Sequence, residues 1–240
     1  MGTMSNRIAE QPVLADADVA AAAALIADPA RSRMLLALSD GRALPAGELA
    51  RLGKVAPSTA SAHLAKLVRG GFLRVEPCRR HRYYRLASPE LMRALEALAV
   101  VAPRAPVRSL REYDTANAIC YARTCYDHLA GTIGVRVTGA YVARGILGQV
   151  DDGYEVTAEG AVWLAELGLD PTALARRPRQ FAPACLDWSE RRHHLAGSLG
   201  AALTQRYLDL EWVARIPASR AVTVTAVGRH GLRERLGIEV

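Results

Sequence analysis

Residues 56–87 read APSTASAHLAKLVRGGFLRVEPCRRHRYYRLA, and this stretch decides the first half of the chain. Pro57 or Ser58 opens a helix in which Leu64, Leu67 and Val68 form one buried side. Ser58, Thr59, Ser61, His63 and Lys66 are left on the other sides, and the Gly70–Gly71 pair stops the helix. Phe72–Glu76 and Arg82–Leu86 then read as strands, with PCRRH between them as a basic hairpin tip. Six arginines and one acid, Glu76, fall between Arg69 and Arg85, a balance suited to phosphate or the minor groove. Tyr83 and Tyr84 alternate, so one faces inward and the other outward.

Upstream, three more helices are expected. DADVAAAAALIA supplies the first. The second, DPARSRMLLALSD, has Asp28 as cap, Pro29 in the first turn, and Met34, Leu35 and Leu38 as an apolar stripe ended by Gly41. LPAGELARLG is a short third helix, with Leu49 and Leu52 inward and Gly53 as its stop. Two short helices joined by a tight turn, the second carrying small polar side chains, describe a helix-turn-helix. Small side chains let a helix backbone approach the major-groove floor, and hydroxyls can bond base edges or phosphates. His63 reads as a DNA-facing residue, because Leu64 and Leu67 already supply the buried stripe.

On these residues the chain resembles the arsenic-repressor (ArsR/SmtB) family of winged helix-turn-helix regulators. The resemblance runs over about residues 17–100, through DPARSRMLLAL, GELARLGKVAPSTASAHLAKLVRGGFLRVEPCRRHRYYRL and SPELMRALEAL. It implies a homodimer built on the first helix and the helix after the wing. It also implies binding to a double-stranded operator, usually as a repressor released by an inducer. By position, Ser58, Thr59, Ser61, His63 and Lys66 take the family's base-and-backbone role, and Arg79, Arg80 and Arg82 take the wing's, with Tyr84 beside them. The chain departs from the family at both familiar metal sites. ELARLG has no thiol in the third helix, and SPELMRALEALAVVAP offers Glu90 and Glu96 but no histidine.

Composition divides the chain in the same place. Its 240 residues carry a net charge of +7 and are half apolar, enough for a sizeable core. Residues 1–110 hold 16 Lys+Arg against 9 Asp+Glu, whereas residues 111–240 hold 15 of each. The excess positive charge therefore belongs to the first half, which points to an anionic partner there. No apolar run approaches the roughly 20 residues of a membrane span. The alanine-rich start lacks the build of a signal peptide, so a cytoplasmic protein with no membrane partner is expected. Four cysteines are too few for a disulfide scaffold. The expected organisation is a flexible N-terminus (1–15), a winged helix-turn-helix domain (16–102), a linker around Pro103 and Pro106 (103–110), and an effector or dimerisation domain (111–240). The fold class is mainly α with small β-hairpins.

The second half repeats itself. HLAG recurs at an offset of 66 residues (Gly131, Gly197), and VTAEG and VTAVG recur at 68 (Thr157, Thr225). Two winged-helix-like repeats of an α+β domain, about 120–170 and 185–238, are expected. Thr157 and Thr225 should cap helices, and the HLAG segments read as helices crossing at Gly131 and Gly197. Three of the four cysteines and three of the six histidines decorate the repeated phrase: Cys120, Cys125, His128, Cys185, His193 and His194. Thiolates with imidazoles suit zinc or another thiophilic metal. On one helix Cys120 and Cys125 lie about 140° apart, so a workable site pairs Cys125 and His128 with Cys185 and His194. Three alternatives stay open. Arginines beside a cysteine can make a redox thiolate. Tyr121, Tyr126, Trp163, Trp188 and Trp212 with Arg191 and Arg192 can hold an organic anion. Or the thiols and histidines are structural, in a constitutive DNA-binding protein. An enzyme fused to a DNA reader is the remaining rival, but the sequence has no phosphate loop, GxSxG or HExxH.

Overall fold

The computed structural model describes residues 16–78, 81–104 and 106–240; the N-terminal segment 1–15 expected to be flexible lies outside them. The chain opens with α1 (Val19–Ile26) and α2 (Pro29–Ala37). Asp28 caps α2 by accepting from the amides of Ala30 and Arg31, and Pro29 fills its first turn as expected. α3 (Ala46–Gly53) and α4 (Pro57–Arg69) form the helix-turn-helix. Gly53 is not the stop of α3 but its last helical residue. A Cβ there would lie 2.7 Å from Met34 Cε, so glycine lets α3 settle on α2, and Lys54 takes the left-handed turn at φ 58°.

The wing is β2 (Leu73–Cys78) and β3 (His81–Leu86), longer than expected on both sides of the tip. Its register brings Cys78 opposite His81, so the tip shrinks to two residues. A short strand with no periodicity of its own, β1 (Leu44–Pro45), joins the other edge of β3, giving the order β1-β3-β2. α5 (Pro89–Val101), capped by Ser88, closes this half. Met34, Leu35, Leu38, Leu49, Leu64 and Leu67 form its dry centre.

After residues 102–109, α6 (Leu110–Tyr121) leads into two copies of one unit. The first runs β4 (Arg123–Cys125), β5 (His128–Ala130), α7 (Gly131–Ala143), β6 (Leu147–Val150), β7 (Gly153–Val156) and α8 (Ala158–Glu166). α9 (Pro171–Ala175) follows it. The second runs β8 (Ala184–Leu186), β9 (His193–Leu195), α10 (Gly197–Asp209), β10 (Val213–Arg215), β11 (Val222–Val224) and α11 (Ala226–Leu236). Each copy has a helix, a hairpin and a further helix in winged-helix order. Thr157 and Thr225 cap α8 and α11, each accepting at 2.9 Å from an amide three residues on.

The repeated phrase itself is not helical. HLA is the return strand of a hairpin, and glycine is the first residue of the helix that follows, at φ +78° for Gly131 and +74° for Gly197. A Cβ on Gly131 would fall 2.5 Å from Cys120 O, and one on Gly197 equally close to Gln180 O, which is why only glycine turns this corner. The close approach between repeats comes one turn later. A Cβ on Gly134 would meet Leu129 O at 2.5 Å and the Cβ of His194 at 3.8 Å; on Gly200 it would meet Leu195 O at 2.6 Å and the Cβ of His128 at 3.3 Å. Each helix thus packs on the other copy's strand, α7 on β9 and α10 on β5. Matching bonds tie the exchange: Leu129 N donates to Thr204 Oγ1 (2.8 Å) and Leu195 N to Thr138 Oγ1 (2.9 Å). The Tyr141 and Tyr207 hydroxyls meet at the pseudo-twofold.

The two halves share a core. Cys125 and Ala130 are buried in the same cluster as Leu38 and Leu64, and Tyr126 N donates to Ser39 O at 2.7 Å. Among the described residues no helix is long and apolar enough to cross a membrane.

Candidate functional site

α4 buries Ala60, Leu64 and Leu67 and leaves Ser58, Thr59, Ser61 and Lys66 in solvent. Ala62, Ala65 and Arg69 complete that outer face, so the helix backbone is accessible between short side chains. Ser61 Oγ donates back to Pro57 O at 2.9 Å. Arg82, exposed on β3, faces Ser61, Ala65 and Arg69 across an open cleft between α4 and the wing. Arg69 is a cation that the sequence reading left out of this face; its position at the helix end, opposite Leu67 on the wheel, was a usable signal. Arg79 and Arg80 lie outside the described residues.

Two of the expected DNA-facing residues sit elsewhere. Tyr84 is the inward member of the Tyr83–Tyr84 pair: β3 is the middle strand, and Tyr84 lies between Leu44 and Val75 in register and joins the core, 9% exposed. His63 lies about 60° from the centre of the buried stripe of α4. Its Nδ1 is 3.4 Å from Arg31 Nη1 and its Nε2 is 3.9 Å from Asp28 Oδ1. Arg31 is itself buried and donates to the Ala24 and Leu25 carbonyls. His63 therefore belongs to the packing of α4 on the start of α2, because the polar start of α2 reaches over the edge of the stripe.

In the second half the structure brings Cys125, His128, Cys185 and His194 together, with one side-chain ligand atom of each within 4.8 Å of the others. Local geometry explains it. Cys125 and His128 do not share a helix face; they are cross-strand partners in the β4–β5 hairpin, and Cys185 and His194 are partners in β8–β9. The pseudo-twofold then sets one Cys–His pair against the other, with imidazole centroids 5.1 Å apart. The first hairpin turns on two residues, with Tyr126 at φ 59°; the second carries a longer loop. Cys120 lies on α6, half buried, outside the group. His193 points to solvent, as strand alternation requires once His194 points in.

All four imidazole nitrogens of His128 and His194 are buried without a hydrogen-bond partner. Each Nδ1 nonetheless sits beside a carboxylate, His128 at 3.5 Å from Asp127 Oδ1 and His194 at 3.4 Å from Asp187 Oδ2. Carboxylates so placed favour Nδ1–H and leave the Nε2 lone pair free. The acids are held in turn. Arg179 donates to Asp127 at 2.7 and 3.3 Å; Arg123 donates to Asp187 at 2.9 Å, and the Gly131 amide donates to it at 2.7 Å. Against the burial that would raise it, these donors with His194 and Ser189 hold the Asp187 carboxyl far below the usual carboxylate range. The contact between the two sulfurs holds the Cys185 thiol down, helped by both histidines, and together with deeper burial pushes the Cys125 thiol up. For His194, burial lowers the imidazole but Asp187 and Cys185 outweigh it and raise it.

A charged chain that the sequence did not reveal leads from this centre to the DNA-reading half. Arg123 is fully buried, binds Asp187, and lies 4.0 Å from Glu96 of α5. Glu96, also buried, accepts from Arg220 at 2.6 Å. Trp188 stacks under both guanidinium groups, 4.6 Å from Arg123 and 5.9 Å from Arg220. The aromatic residues considered for an organic effector are dispersed. Trp163 packs edge-on to Tyr141, Trp212 stacks on Tyr207, Trp188 serves the arginines and Tyr121 is partly exposed.

Comparison with known proteins finds several similar chains. A family model described as a helix-turn-helix domain matches residues 26–76. The HTH-type transcriptional regulator YdfF of Bacillus subtilis (strain 168) is 45% identical over 223 residues, 93% of this chain and 99% of the relative. Among solved structures, reduced HlyU from Vibrio cholerae N16961 is 27% identical, covering 36% of this chain and 90% of its own, with a TM-score of 0.33. The cadmium metal-sensor CMTR from Mycobacterium tuberculosis is 32% identical, covering 38% and 99%, with a TM-score of 0.31. With a helix-turn-helix, a basic wing and a relative matched over nearly its full length, the chain belongs to the HTH-type transcriptional regulators.

Proposed function

We propose that this regulator binds a double-stranded operator as a homodimer and that an effector acting at the Cys125–His128–Cys185–His194 centre sets its operator affinity. α4 enters the major groove with Ser58, Thr59, Ser61 and Lys66, while Arg69 and Arg82 hold flanking phosphate. The dimer reading is supported by apolar side chains left open on the outer helices: α1 buries none of its residues, and Leu98, Val101, Leu110 and Tyr113 are exposed on α5 and α6.

One observation carries the effector half. The centre is built into the core of the reading head through Cys125, and the Asp187–Arg123–Glu96 chain joins its second histidine to α5. An effector that binds the free and DNA-bound forms with different affinity shifts the balance between them by that difference. A close-packed core transmits a local change at the centre to α5, and so to the spacing of the two reading heads.

The test is fluorescence anisotropy of labelled DNA from the region upstream of the regulator's own gene, beside scrambled DNA, at one salt concentration. Reduced, peroxide-treated and zinc-loaded protein are compared. Specific binding that changes in one treatment supports the reading and names the chemistry. Tight specific binding indifferent to all three leaves a constitutive DNA-binding protein with a structural second half.

A further inference from the structure

We infer that Cys125, His128, Cys185 and His194 form a four-coordinate site for one zinc-class divalent cation per chain. This names the effector of the regulator proposed above. It rests on that reading for its consequence on DNA but not for metal binding itself.

Three observations carry it. The first is donor type and number: two thiols and two imidazoles are the set that selects zinc, with tetrahedral S₂N₂ geometry. The four ligand atoms lie within 4.8 Å of one another. Zinc–sulfur and zinc–nitrogen bonds of about 2.3 and 2.0 Å require ligand separations of roughly 3.4–3.8 Å. Closure thus asks for an inward movement of about an ångström, within the reach of side-chain torsions on two short hairpins. The second is the state of the imidazoles. His128 and His194 are 6% and 0% exposed, yet none of their ring nitrogens has a hydrogen-bond partner. Buried polar atoms are rarely left so; the carboxylates beside the two Nδ1 atoms account for one nitrogen of each ring, and the two Nε2 atoms are left for a group not made of protein. The third is the outer shell. Asp127 and Asp187, each two residues after a ligand cysteine, stand beside the two Nδ1 atoms, and Arg179 and Arg123 anchor them in turn. Such carboxylate–histidine pairs orient metal ligands.

Charge selects the ion. Two coordinating thiolates bring two negative charges into a dry core, and the nearby acids are already matched by Arg123, Arg179 and Arg220. A divalent cation leaves the centre neutral, whereas copper(I) leaves one buried negative charge uncompensated. The arrangement also differs from a thiol switch in its needs: a disulfide would use Cys125 and Cys185 and give the histidines and their carboxylates no role.

The experiment uses the full chain, reduced and stripped with a chelator, titrated with cobalt(II) as a spectroscopic substitute and then with zinc(II). The expected result is saturation at one cobalt per chain, a thiolate-to-cobalt charge-transfer band, intense tetrahedral visible bands, and displacement by zinc. Cys185→Ser and His128→Gln lose that spectrum, while Cys120→Ser and His193→Gln keep it, with circular dichroism confirming that all four are folded. Asp127→Asn, on the more exposed of the two carboxylates, retains the spectrum but weakens affinity by about 10- to 100-fold. A folded protein with weak octahedral bands and no thiolate band overturns the inference. So does a spectrum lost in Cys120→Ser, or a Cys125–Cys185 disulfide forming in place of metal binding. Operator anisotropy on the same samples separates the two proposals. Cobalt bound as expected without change in operator affinity keeps this site and removes the effector reading. An operator response to oxidant in protein that never binds cobalt keeps the effector reading and removes this site.

Discussion

Glu96→Ala is the most informative single change in this molecule. Glu96 on α5 and Arg220 meet at 2.6 Å with side chains 5% and 9% exposed, so water screens neither group. Two unit charges about 4 Å apart attract by about 4 kcal/mol at an effective dielectric of about 20. Desolvation offsets much of that attraction in the intact pair, but truncating one partner leaves the other charge buried. Breaking such a pair costs about 3–5 kcal/mol. Arg123 keeps Asp187 at 2.9 Å, so Arg220 alone is orphaned, and the lower end, about 3 kcal/mol, applies. For a chain of this size that lowers Tm by roughly 6–12 °C. All three tryptophans (Trp163, Trp188 and Trp212) lie in the second half, and Trp188 lies under Arg220 itself, so tryptophan fluorescence during heating reads the affected half directly. A double-mutant cycle isolates the pair: Glu96→Ala with Arg220→Ala should be less destabilised than the sum of the singles by about 2 kcal/mol. A loss under 2 °C in Glu96→Ala, or strict additivity in the cycle, refutes a buried ion pair joining α5 to the second repeat.

The other expectations follow from the same geometry. Arg69→Ala and Arg82→Ala weaken DNA binding similarly on all sequences and each lower the salt slope by about one, read by anisotropy against salt concentration; a change confined to one base position contradicts the phosphate role. Tyr84→Ala costs about 3 kcal/mol in stability because it opens a cavity behind the wing, whereas Tyr84→Phe leaves operator affinity within twofold; a Phe variant that binds DNA poorly returns Tyr84 to the interface. Thr157→Ala and Thr225→Ala each remove one cap and cost about 1 kcal/mol by urea unfolding, the two values agreeing because the two helices begin alike. Gly134→Ala, whose added carbon would lie 2.5 Å from Leu129 O, destabilises by about 1–3 kcal/mol, opposite in sign to the usual helix gain from glycine to alanine; a stabilised variant disproves the close approach.

The sequence by itself determined whatever depends on neighbours along the chain. The Leu64 and Leu67 stripe (Ala60 joins it in place of the half-buried Val68), the caps at Asp28, Thr157 and Thr225, the two-strand wing and the concentration of positive charge in the first half all follow from 3.6-residue or 2-residue periodicity, from capping chemistry and from composition. The pairing of Cys125 and His128 with Cys185 and His194 was legible for a related reason: a duplicated phrase implies a pseudo-twofold, and a twofold juxtaposes equivalent positions. What carries those residues was not legible. Three-residue strands such as β4 and β5 are too short to show alternation, so HLAG read as helix until the positive φ of Gly131 and Gly197 placed it on a hairpin and its corner. Only the tertiary structure decided that His63 and Tyr84 face inward, because α2 and β1 cover them from distant points in the sequence. It alone joined Glu96 to Arg220 and Arg123 to Asp187, across 124 and 64 residues. No local pattern encodes such pairs; they form where independently folded surfaces bring opposite charges into one dry interface, and that meeting is set by packing rather than by any run of residues.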